Sequence, residues 1–438
     1  MASDAVGPKL GDVVTLIRGT TYKGQLLGQP GPVLLGLASI QRNGGFRNDA
    51  LKTYGGECKP KLILGPGELY VSLKDVTQSA DLLGAVARVP DFIAAGRLTQ
   101  DTVKLEFSGG SYPHNLLYWA LRSPSYRSYC REHATGTTTL GLAREDFLSF
   151  SLPASTADRL GLVELLEALE SRIRTLAETN TTLEAIAQAL FKSWFVDFDP
   201  VRAKAEGLTP AGMDADTAAL FPSEFEESEL GLIPKGWREG ALGEISTLNA
   251  ESWSAKRSPD RIVYVDLSSV EKNQFSELAE HDFSDAPTRA RRILRDRDSI
   301  VGTVRPGNRA FAYIHQPPAN LTGSTGFAVL SPLDKVACGF IYLAATCNES
   351  IERLANLADG GAYPAVRPDV VSATPVIIPS DHALSTFGAV VNPLLEKIAE
   401  NSEAARVLAQ LRDTLLPRLI SGKLRLPDAK ALIEVAEA

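Results

Sequence analysis

One short polar string of the sequence has the chemistry needed to contact a nucleic-acid base. Arg305-Pro-Gly-Asn-Arg309 places two arginines and an amide on a Pro-Gly turn that directly follows a predicted strand. Arginine donates two parallel hydrogen bonds to the edge of guanine, and asparagine pairs in the same bidentate way with adenine. The string therefore predicts a base-contacting loop, with a solvated loop as the alternative interpretation of each residue.

Other loop residues share this chemistry. Their side chains are of the types that contact phosphates and base edges, and Thr135-Gly-Thr-Thr138 and Gly360-Gly-Ala-Tyr-Pro364 also offer backbone N–H groups to phosphate. The arginine-rich run 289–297 is interpreted either as a salt-bridged surface helix or as a phosphate-binding segment. The candidate DNA-binding residues are Arg18, Thr20, Lys23, Arg42, Asn43, Arg47, Lys74, Thr77, Gln78 and Thr138 in the first half of the chain, and Arg257, Arg305, Asn308, Arg309, Tyr363 and Arg367 in the second.

The sequence offers no constellation typical of catalysis or of metal binding. It contains no HExxH, GxxxxGK[ST] or GxSxG motif, and no GxGxxG after a strand. The pair Pro317-Pro318 follows Gln316 and precedes Ala319, so it lacks the preceding aspartate or asparagine and the following aromatic side chain that an amino-methyltransferase loop needs. The 5 histidines and 4 cysteines are scattered. We therefore expect no catalytic residue, no metal and no cofactor, and a cytoplasmic protein with reduced thiols and no membrane span.

The acidic net charge of −8 is unevenly distributed along the 438 residues. Residues 206–235 hold 7 acidic and 1 basic side chains, a net of −6, whereas residues 1–150 hold 13 acidic and 16 basic ones, a net of +3. Local basic clusters, rather than the net charge, attract phosphates. This distribution argues against indiscriminate nucleic-acid binding and is compatible with binding through particular surfaces.

The elements that position these loops follow one plan used twice. Five strings of the first half recur in the same order in the second, at offsets of about 224 to 232 residues, which predicts a tandem duplication. Strands are predicted at 12–17, 33–37 and 69–73, within small domains that mix helices and strands. The paired strings are 9–16 and 242–248, 67–73 and 297–303, 116–120 and 340–344, 150–153 and 376–379, and 166–170 and 395–400.

A long amphipathic helix follows each predicted domain. Apolar side chains recur every three or four residues, as in a coiled-coil seam, and one asparagine can fix the register. Such a seam is unstable alone, so we predict that the two helices pair antiparallel; a dimer through the seams is the alternative. The first helix begins after Ser155 or Thr156, and Pro417 and Gly422 are predicted to disturb and then stop the second. The seam positions are Leu169, Ile173, Leu176, Asn180, Leu183, Leu190 and Trp194 in the first helix and Ile398, Leu408 and Leu415 in the second.

Three strings resemble the specificity subunits of type I restriction–modification systems. They are the helix end 183–204, with its Phe-Lys-Ser-Trp-Phe-Val-Asp-Phe-Asp-Pro sequence, the closing Leu415-Leu-Pro-Arg-Leu-Ile-Ser-Gly-Lys-Leu, and Ile233-Pro-Lys-Gly-Trp237 followed by Leu242-Gly-Glu-Ile. The resemblance implies a subunit without its own active site, whose two target-recognition domains each bind one half of a split double-stranded DNA sequence. It also implies spacer helices that bind two modification (methyltransferase) subunits, and recruitment of restriction subunits through the complex.

The sequence therefore predicts an α+β fold with an internal tandem duplication, in which two globular target-recognition domains alternate with two long helices that form an antiparallel coiled coil. Alternatives are the recognition subunit of a fused, type IIB-like restriction–modification system, an enzyme on an unrecognised fold, and a coiled-coil adaptor that does not bind DNA. The predicted parts are recognition domain 1 at 1–153, a central spacer helix at 154–205, an acidic linker at 206–235, recognition domain 2 at 236–379, and a C-terminal spacer helix and tail at 380–438.

Overall fold

The chain divides into two units, each built around an antiparallel sheet. A computed structural model describes residues 6–49, 51–77, 79–110, 112–229, 231–254, 256–361 and 363–420. The described residues up to Ile173, together with those from Val407 onward, form the first unit, and Arg174–Arg406 form the second. Each long helix contributes one part to each unit.

The described residues of the first half form many short strands and four short α-helices before the long helix. Its strands are β1 (Val6–Lys9), β2 (Val14–Arg18), β3 (Val33–Leu35), β4 (Ile63–Leu64), β5 (Leu69–Ser72), β6 (Lys74–Asp75), β7 (Val86–Arg88), β8 (Gly96–Leu98), β9 (Thr102–Phe107), β10 (Ala134–Thr135), β11 (Leu140–Leu142) and β12 (Ser151–Pro153). Its helices are α1 (Leu10–Val13), α2 (His114–Ala120), α3 (Pro124–Glu132), α4 (Arg144–Ser149) and the long α5 (Ala157–Phe195).

Strand β5 lies inside the central sheet of the first unit, which has the order β2-β9-β5-β7. Leu69 and Val71 of β5 belong to the main core with Trp119, whereas Tyr70 points to a second, smaller core. The strand is therefore buried on both faces, which explains its unbroken apolar run. A second sheet has the order β3-β8-β4, with β3 and β8 parallel.

The second half repeats this mixture of elements. Its helices are α6 (Asp199–Ala205), α7 (Ala215–Ala219), α8 (Cys338–Thr346), α9 (Asn348–Leu357), α10 (Pro368–Ser372) and the long α11 (Asp381–Ile420). Its strands are β13 (Phe225–Ser228), β14 (Gly231–Pro234), β15 (Arg238–Ala241), β16 (Ser246–Leu248), β17 (Arg261–Val265), β18 (Val270–Glu271), β19 (Gln274–Phe275), β20 (Ala279–Asp282), β21 (Ala290–Ile293), β22 (Ser299–Gly302), β23 (Phe311–Tyr313), β24 (Leu321–Ser324), β25 (Phe327–Pro332) and β26 (Pro375–Ile378).

The central sheet of the second unit has the same topology as that of the first. Its order is β16-β25-β22-β23, so in both sheets the first strand in sequence pairs with the fourth, the fourth with the second, and the second with the third. Strand β22 is again buried on both faces, with Ile300 and Val301 in different cores. The neighbouring sheet β20-β17-β24-β21 contains a parallel pair, β17 and β24, in the place of β3 and β8. Strands β15 and β26 pair as β1 and β12 do.

The first long helix begins where the sequence predicts but ends ten residues before the predicted boundary at 205. The hydroxyl of Thr156 accepts a hydrogen bond from the Arg159 N–H at 3.4 Å, as an N-cap does. Phe198 adopts a left-handed conformation with φ 56°, and the separate helix α6 then begins at Asp199, with Pro200 in its first turn. The predicted linker at 206–235 contains helix α7 and the β13–β14 hairpin.

Four local expectations are wrong in detail. Residues 10–13 form helix α1, so the strand predicted at 12–17 begins only at Val14. The strand predicted at 33–37 ends at Leu35, where the chain turns into a 3-10 helix. Pro417 does not interrupt α11, which continues to Ile420 because the buried Leu415 and Leu416 hold it to the core of the first unit. Gly422 lies outside the described residues.

The fourth error concerns the arginine-rich run 289–297, which contains strand β21 and no helix. The strand pairs with β24, and its arginine stems lie along the sheet; for example, the guanidinium of Arg291 lies 4.9 Å from the ring centre of Phe283. The expectation of a salt-bridged surface helix is therefore wrong in its secondary structure, because a strand with long side chains can present the same charges.

Candidate nucleic-acid interface

In the second unit, the Arg305–Arg309 turn connects β22 to β23. Arg305 and Arg309 both have left-handed backbones, with φ 48° and 58°, and Pro306 between them is buried. The Asn308 N–H donates to the Arg305 carbonyl at 2.8 Å, and the Arg309 N–H donates to the Pro306 carbonyl at 2.9 Å. Arg305 and Asn308 are exposed and Arg309 is half-buried. The predicted turn is therefore present, and its backbone is fixed.

A second loop, between α9 and α10, packs against this turn. The Arg305 N–H donates to the Pro364 carbonyl at 2.7 Å, and the Val366 N–H donates to the Thr303 carbonyl at 2.9 Å. The guanidinium carbon of Arg305 lies 4.8 Å from the ring centre of Tyr363, a residue that is 73% exposed. Five of the six candidates in this half thus share one surface. We call it the Arg305 surface: Arg305, Asn308, Arg309, Tyr363 and Arg367.

The sixth candidate, Arg257, lies elsewhere. It lines a cleft of about 530 Å³ with Trp253 and Pro317, and its guanidinium lies 3.7 Å from the Glu251 carboxylate. This cleft adjoins the start of β22 and the end of β23, whereas the Arg305–Arg309 turn joins their other ends. The structure therefore does not bring Arg257 to the Arg305 surface.

The arginine-rich run 289–297 is occupied largely by ion pairs. Arg289 pairs with Asp266 at 3.2 Å, Arg295 pairs with Glu251, and Arg297 pairs with Glu396 of α11 at 2.9 Å. These contacts favour the salt-bridged interpretation of the run, on a strand and its flanks rather than on a helix.

In the first unit, Lys74, Thr77 and Thr138 occupy the place that corresponds to the Arg305 surface. Strand β6 continues from the central strand β5 and pairs with β11 of the β10–β11 hairpin. Thr138 is exposed on the loop of that hairpin, and Lys74 lies 3.4 Å from the carboxylate of Asp101. We call Lys74, Thr77 and Thr138 the Lys74 surface.

A buried carboxylate shapes this loop. Asp75 is fully buried, and its Oδ1 accepts hydrogen bonds from the N–H of Thr77 at 2.6 Å and from the hydroxyl of Thr77 at 2.7 Å. Its Oδ2 accepts from the Leu82 N–H at 2.7 Å. The Thr77 hydroxyl is therefore engaged within the loop. Sequence reasoning selected Thr77 and missed Asp75, although an Asp two residues before a Thr is typical of such a side-chain turn. Gln78 lies outside the described residues.

Two further groups of first-unit candidates border this surface. The Thr20 hydroxyl accepts a hydrogen bond from the buried Arg97 at 3.1 Å. Thr20 also forms an isolated β-bridge with Thr99. Thr99 lies two residues before Asp101, the ion-pair partner of Lys74. Arg18 and Lys23 flank Thr20 and are exposed. Arg97, which sequence reasoning missed, has no distinguishing sequence signal.

The second group follows the 3-10 turn after β3. Asn43 is left-handed with φ 62°, and its Oδ1 accepts from Arg131 at 3.2 Å. Arg47 makes a bidentate ion pair with Asp49: its Nε donates to Oδ1 at 2.5 Å and its Nη2 donates to Oδ2 at 2.6 Å. Arg42 is exposed. Of these three residues, Asn43 and Arg47 contact side chains of their own domain.

The predicted seam residues of the long helices are all buried or half-buried. In the first unit, Leu169 and Leu415 share one core, and Leu408 packs against it. In the second unit, Leu183 and Leu190 pack against the core that contains Trp194 and Ile398. Trp194 is only 6% exposed and lies among aromatic rings, which excludes it as a stacking platform for DNA.

A polar pair lies among these seam residues. Asn180 donates to the Ile398 carbonyl and to the Ser402 hydroxyl, each at 3.0 Å, and Asn401 donates to the Asn180 amide oxygen at 2.9 Å. The sequence predicts Asn180 as a register residue, and helical spacing from Ile398 also places Asn401 on the seam of the second helix, but the sequence does not predict that the two side chains pair. Since Asn180 faces Asn401 and Phe191 faces Phe387, α5 and α11 run antiparallel within the second unit.

Among the described residues, no group of histidine, cysteine, aspartate and glutamate side chains is arranged to hold a metal ion. No helix of the described part of the chain has both the length and the apolar character needed to cross a membrane.

Comparison with known proteins gives two relatives and a solved structure of the same kind. The type I restriction enzyme HindI specificity subunit of Haemophilus influenzae is 26% identical over 322 residues, which cover 63% of this chain and 69% of that protein. The type I restriction enzyme MjaIX specificity subunit of Methanocaldococcus jannaschii is 25% identical over 329 residues, covering 71% and 69%. No model of a known protein family matches the chain.

The crystal structure of a type I restriction–modification system S subunit from M. genitalium superposes with a TM-score of 0.58 at 14% identity, covering 96% of this chain and 98% of that one. At this identity the superposition establishes the fold. The mixed helix-and-sheet fold and the resemblance to type I specificity subunits, both predicted from the sequence, are confirmed.

Proposed function

We infer that this chain is the DNA sequence-specificity subunit of a type I restriction–modification complex. One observation of the structure carries this conclusion beyond the likeness to known subunits. The same sheet topology occurs in both units, and in both a polar loop surface follows the doubly buried central strand and pairs with a neighbouring loop. Two similar scaffolds with different exposed side chains suit the recognition of two different DNA half-sites.

We propose that the two recognition domains, at 1–153 and 236–379, arose by the predicted tandem duplication. The matching topologies support this proposal, as does the common order of the recurring sequence strings. Each domain would bind double-stranded DNA through its own surface, the Lys74 surface in the first and the Arg305 surface in the second, together with the bordering candidates. Arg257, Asn43 and Arg47 are weaker candidates because of their positions or contacts.

We propose further that α5 and α11 form an antiparallel coiled coil and that these spacer helices bind two modification subunits, with restriction subunits joining through the complex. The burial of the predicted seam and the antiparallel contacts within the second unit support the coiled coil. In this proposal the chain supplies recognition in the cytoplasm and has no active site of its own, and methyl transfer and cleavage belong to its partners.

Methylation mapping tests the proposal. The chain is expressed with the modification subunit encoded beside it in a host that lacks DNA methylation, and the modified bases are located by sequencing. We expect an asymmetric motif of two half-sites separated by a fixed gap, and no methylation when either protein is omitted. A continuous motif, or methylation by the modification subunit alone, would contradict the proposal; a soluble complex without methylation would favour an adaptor that does not bind DNA.

A further inference from the structure

We propose that Arg305, positioned by Tyr363, recognises a guanine in the major groove within the half-site of the second domain. This inference rests on the proposed function and deepens it, because it assigns a base to one residue of the Arg305 surface. Its support comes from the backbone of the turn, the stacking of the two side chains and the local balance of charge.

The backbone at Arg305 is held in an uncommon conformation by its neighbours. Non-glycine residues with positive φ are rare, and such strain is concentrated at functional sites. Here Arg305 and Arg309 both have positive φ, and main-chain hydrogen bonds to Pro364 and within the turn hold them. The buried Pro306 anchors the turn to the domain. The root of the Arg305 side chain is therefore fixed before any ligand binds, which lowers the entropic cost of recognition.

The stacking of Arg305 on Tyr363 limits the rotation of the guanidinium group and holds it in an orientation suited to contact with a base edge. The contact at 4.8 Å uses the face of the guanidinium, whereas bidentate recognition of guanine O6 and N7 uses the edge that carries the N–H donors. The stacking contact and base recognition therefore use different parts of the guanidinium group. Tyr363 is 73% exposed and so contributes little to the core. Core packing does not explain this exposed ring, whereas its contact with Arg305 gives it the role of positioning the guanidinium group.

The charge around the turn favours contact with a base over contact with a phosphate. Asp359 lies on the loop that packs against the turn of Arg305 and Arg309, and Arg367, at the end of that loop, pairs with Asp369 of α10 at 2.9 Å. Surfaces that bind phosphates have an excess of positive charge, because neutralising phosphates and releasing counterions provides their affinity. A nearly balanced surface with one oriented guanidinium instead suits recognition of a single base edge.

The experiment measures how strongly each variant prefers guanine. The chain is expressed with its modification subunit, and methylation rates are compared between sites that carry guanine and sites that carry another base at each position of the second half-site. Arg305→Lys keeps the charge but removes the planar, bidentate donor. Tyr363→Leu removes the aromatic face, whereas Tyr363→Phe keeps it. Arg261→Lys is the matched control, since Arg261 is an exposed arginine of the same unit that pairs with Glu280 and Asp282.

We expect Arg305→Lys to lower the preference for guanine at one position by roughly 10- to 100-fold and to leave the first half-site unchanged. Tyr363→Leu should lower the same preference by a smaller factor, Tyr363→Phe should retain most of it, and Arg261→Lys should behave as the wild type. A uniform loss of methylation at all sites, with the motif unchanged, would show a phosphate contact and overturn the inference. A wild-type complex without any bipartite motif would overturn the proposed function itself, and this inference with it.

Discussion

The two candidate recognition surfaces occupy the same place on the same sheet topology, but they are organised by different chemistry. In the first unit, the fully buried Asp75 accepts three hydrogen bonds and shapes the loop that carries Lys74 and Thr77. In the second unit, two left-handed arginines, main-chain hydrogen bonds and a stacked tyrosine shape the turn. The difference shows that the sheet preserves the position of a surface, while the loop determines which groups that surface offers.

The attachment of each domain to the long helices differs as well. In the first unit, Glu167 of α5 accepts from Arg88 and Trp119, and Glu170 pairs with Arg122 and, at 2.7 Å, with Arg412 of α11. Burial raises the pKa of Glu170, but the two arginines more than offset this effect, so the pKa is lowered overall. Among the described residues of the second unit, Arg297 pairs with Glu396 of α11, and Glu184 of α5 accepts a hydrogen bond from the Tyr342 hydroxyl. The first domain therefore has more charged contacts with its helices.

Removal of the buried carboxylate should have the largest effect and should separate the two surfaces. Asp75→Ala removes the acceptor of the Thr77 and Leu82 N–H groups and one partner of the Thr77 hydroxyl, which also contacts Ser79. We expect this to destabilise the first unit by about 3–5 kcal/mol, since each buried unsatisfied donor costs about 1–3 kcal/mol. Thermal unfolding measures the loss, and methylation mapping should show impaired recognition at the first half-site only. Asp75→Asn, which retains one acceptor, should lose less; an equal loss at both half-sites would contradict the independence of the surfaces.

A second buried carboxylate makes the second unit sensitive to pH. Asp298 is 1% exposed, and burial raises its pKa to about 6. The pKa of Asp298 is higher in the folded protein than in the unfolded chain. The protonated Asp298 therefore stabilises the fold fully below about pH 4, and this stabilisation is lost as the pH rises through about 6. Asp298→Asn should therefore raise stability above pH 6 by about 2–3 kcal/mol and change nothing near pH 4.

Urea unfolding at pH 4 to 8, followed by tryptophan fluorescence, checks this effect. Trp194, Trp237 and Trp253 report on the second unit and Trp119 on the first. An equal gain in stability at pH 4 and at pH 7 would rule out titration of Asp298 as its cause.

The ion pairs that join each domain to the long helices should contribute different amounts to the free energy of unfolding. Glu170→Gln leaves Arg122 and Arg412 without their carboxylate, and we expect a loss of about 1–2 kcal/mol, less than for a fully buried pair because Glu170 is partly exposed to solvent. Glu396→Gln, the matched change in the second unit, should cost about 1 kcal/mol or less. Chemical denaturation of both variants measures the difference, and a larger loss for Glu396→Gln would reverse the ranking.

The smallest effect is expected at an exposed lysine. Lys74→Ala removes an exposed ion pair with Asp101, so the change in stability should stay within about 0.5 kcal/mol. If Lys74 contacts a phosphate, DNA affinity should fall uniformly across sequences, and the slope of log affinity against log salt should decrease by about one. Binding of the assembled complex to its target at several salt concentrations measures both quantities; altered base preference would instead indicate a base contact.

The features that repeat along the chain could be predicted from the sequence, whereas those that depend on contacts between distant residues could not. The heptad-like spacing of Leu169 to Trp194 gives the long helix directly, because helical periodicity is local. The turn at Arg305 was also predictable, since proline and glycine favour turns. In contrast, tertiary packing sets which residues pair: helical spacing places Asn401 on the seam but does not show that it contacts Asn180, and nothing in the sequence near Arg97 indicates its contact with Thr20.

The arginine-rich run shows why local charge is ambiguous. Helices and strands both accommodate long charged side chains, and only the pairing of β21 with β24 decides between them. Thr77 shows the same limit for site residues: its hydroxyl has the chemistry to contact DNA, but Asp75 already accepts a hydrogen bond from it.

A matched lengthening of the two helices tests most directly the central claim that two recognition domains on paired helices read a split target. Seven residues, one heptad, are inserted after Ala177 in α5 and after Glu403 in α11, at facing positions on the same side of the Asn180–Asn401 contact, so that the seam keeps its register. The insertion adds about 10 Å of helix, equivalent to about three base pairs. Methylation mapping of the lengthened protein should show both half-sites unchanged. The gap of unspecified bases between them should lengthen by up to about three base pairs. Changed half-sites, or an unchanged gap in an active complex, would contradict the central claim.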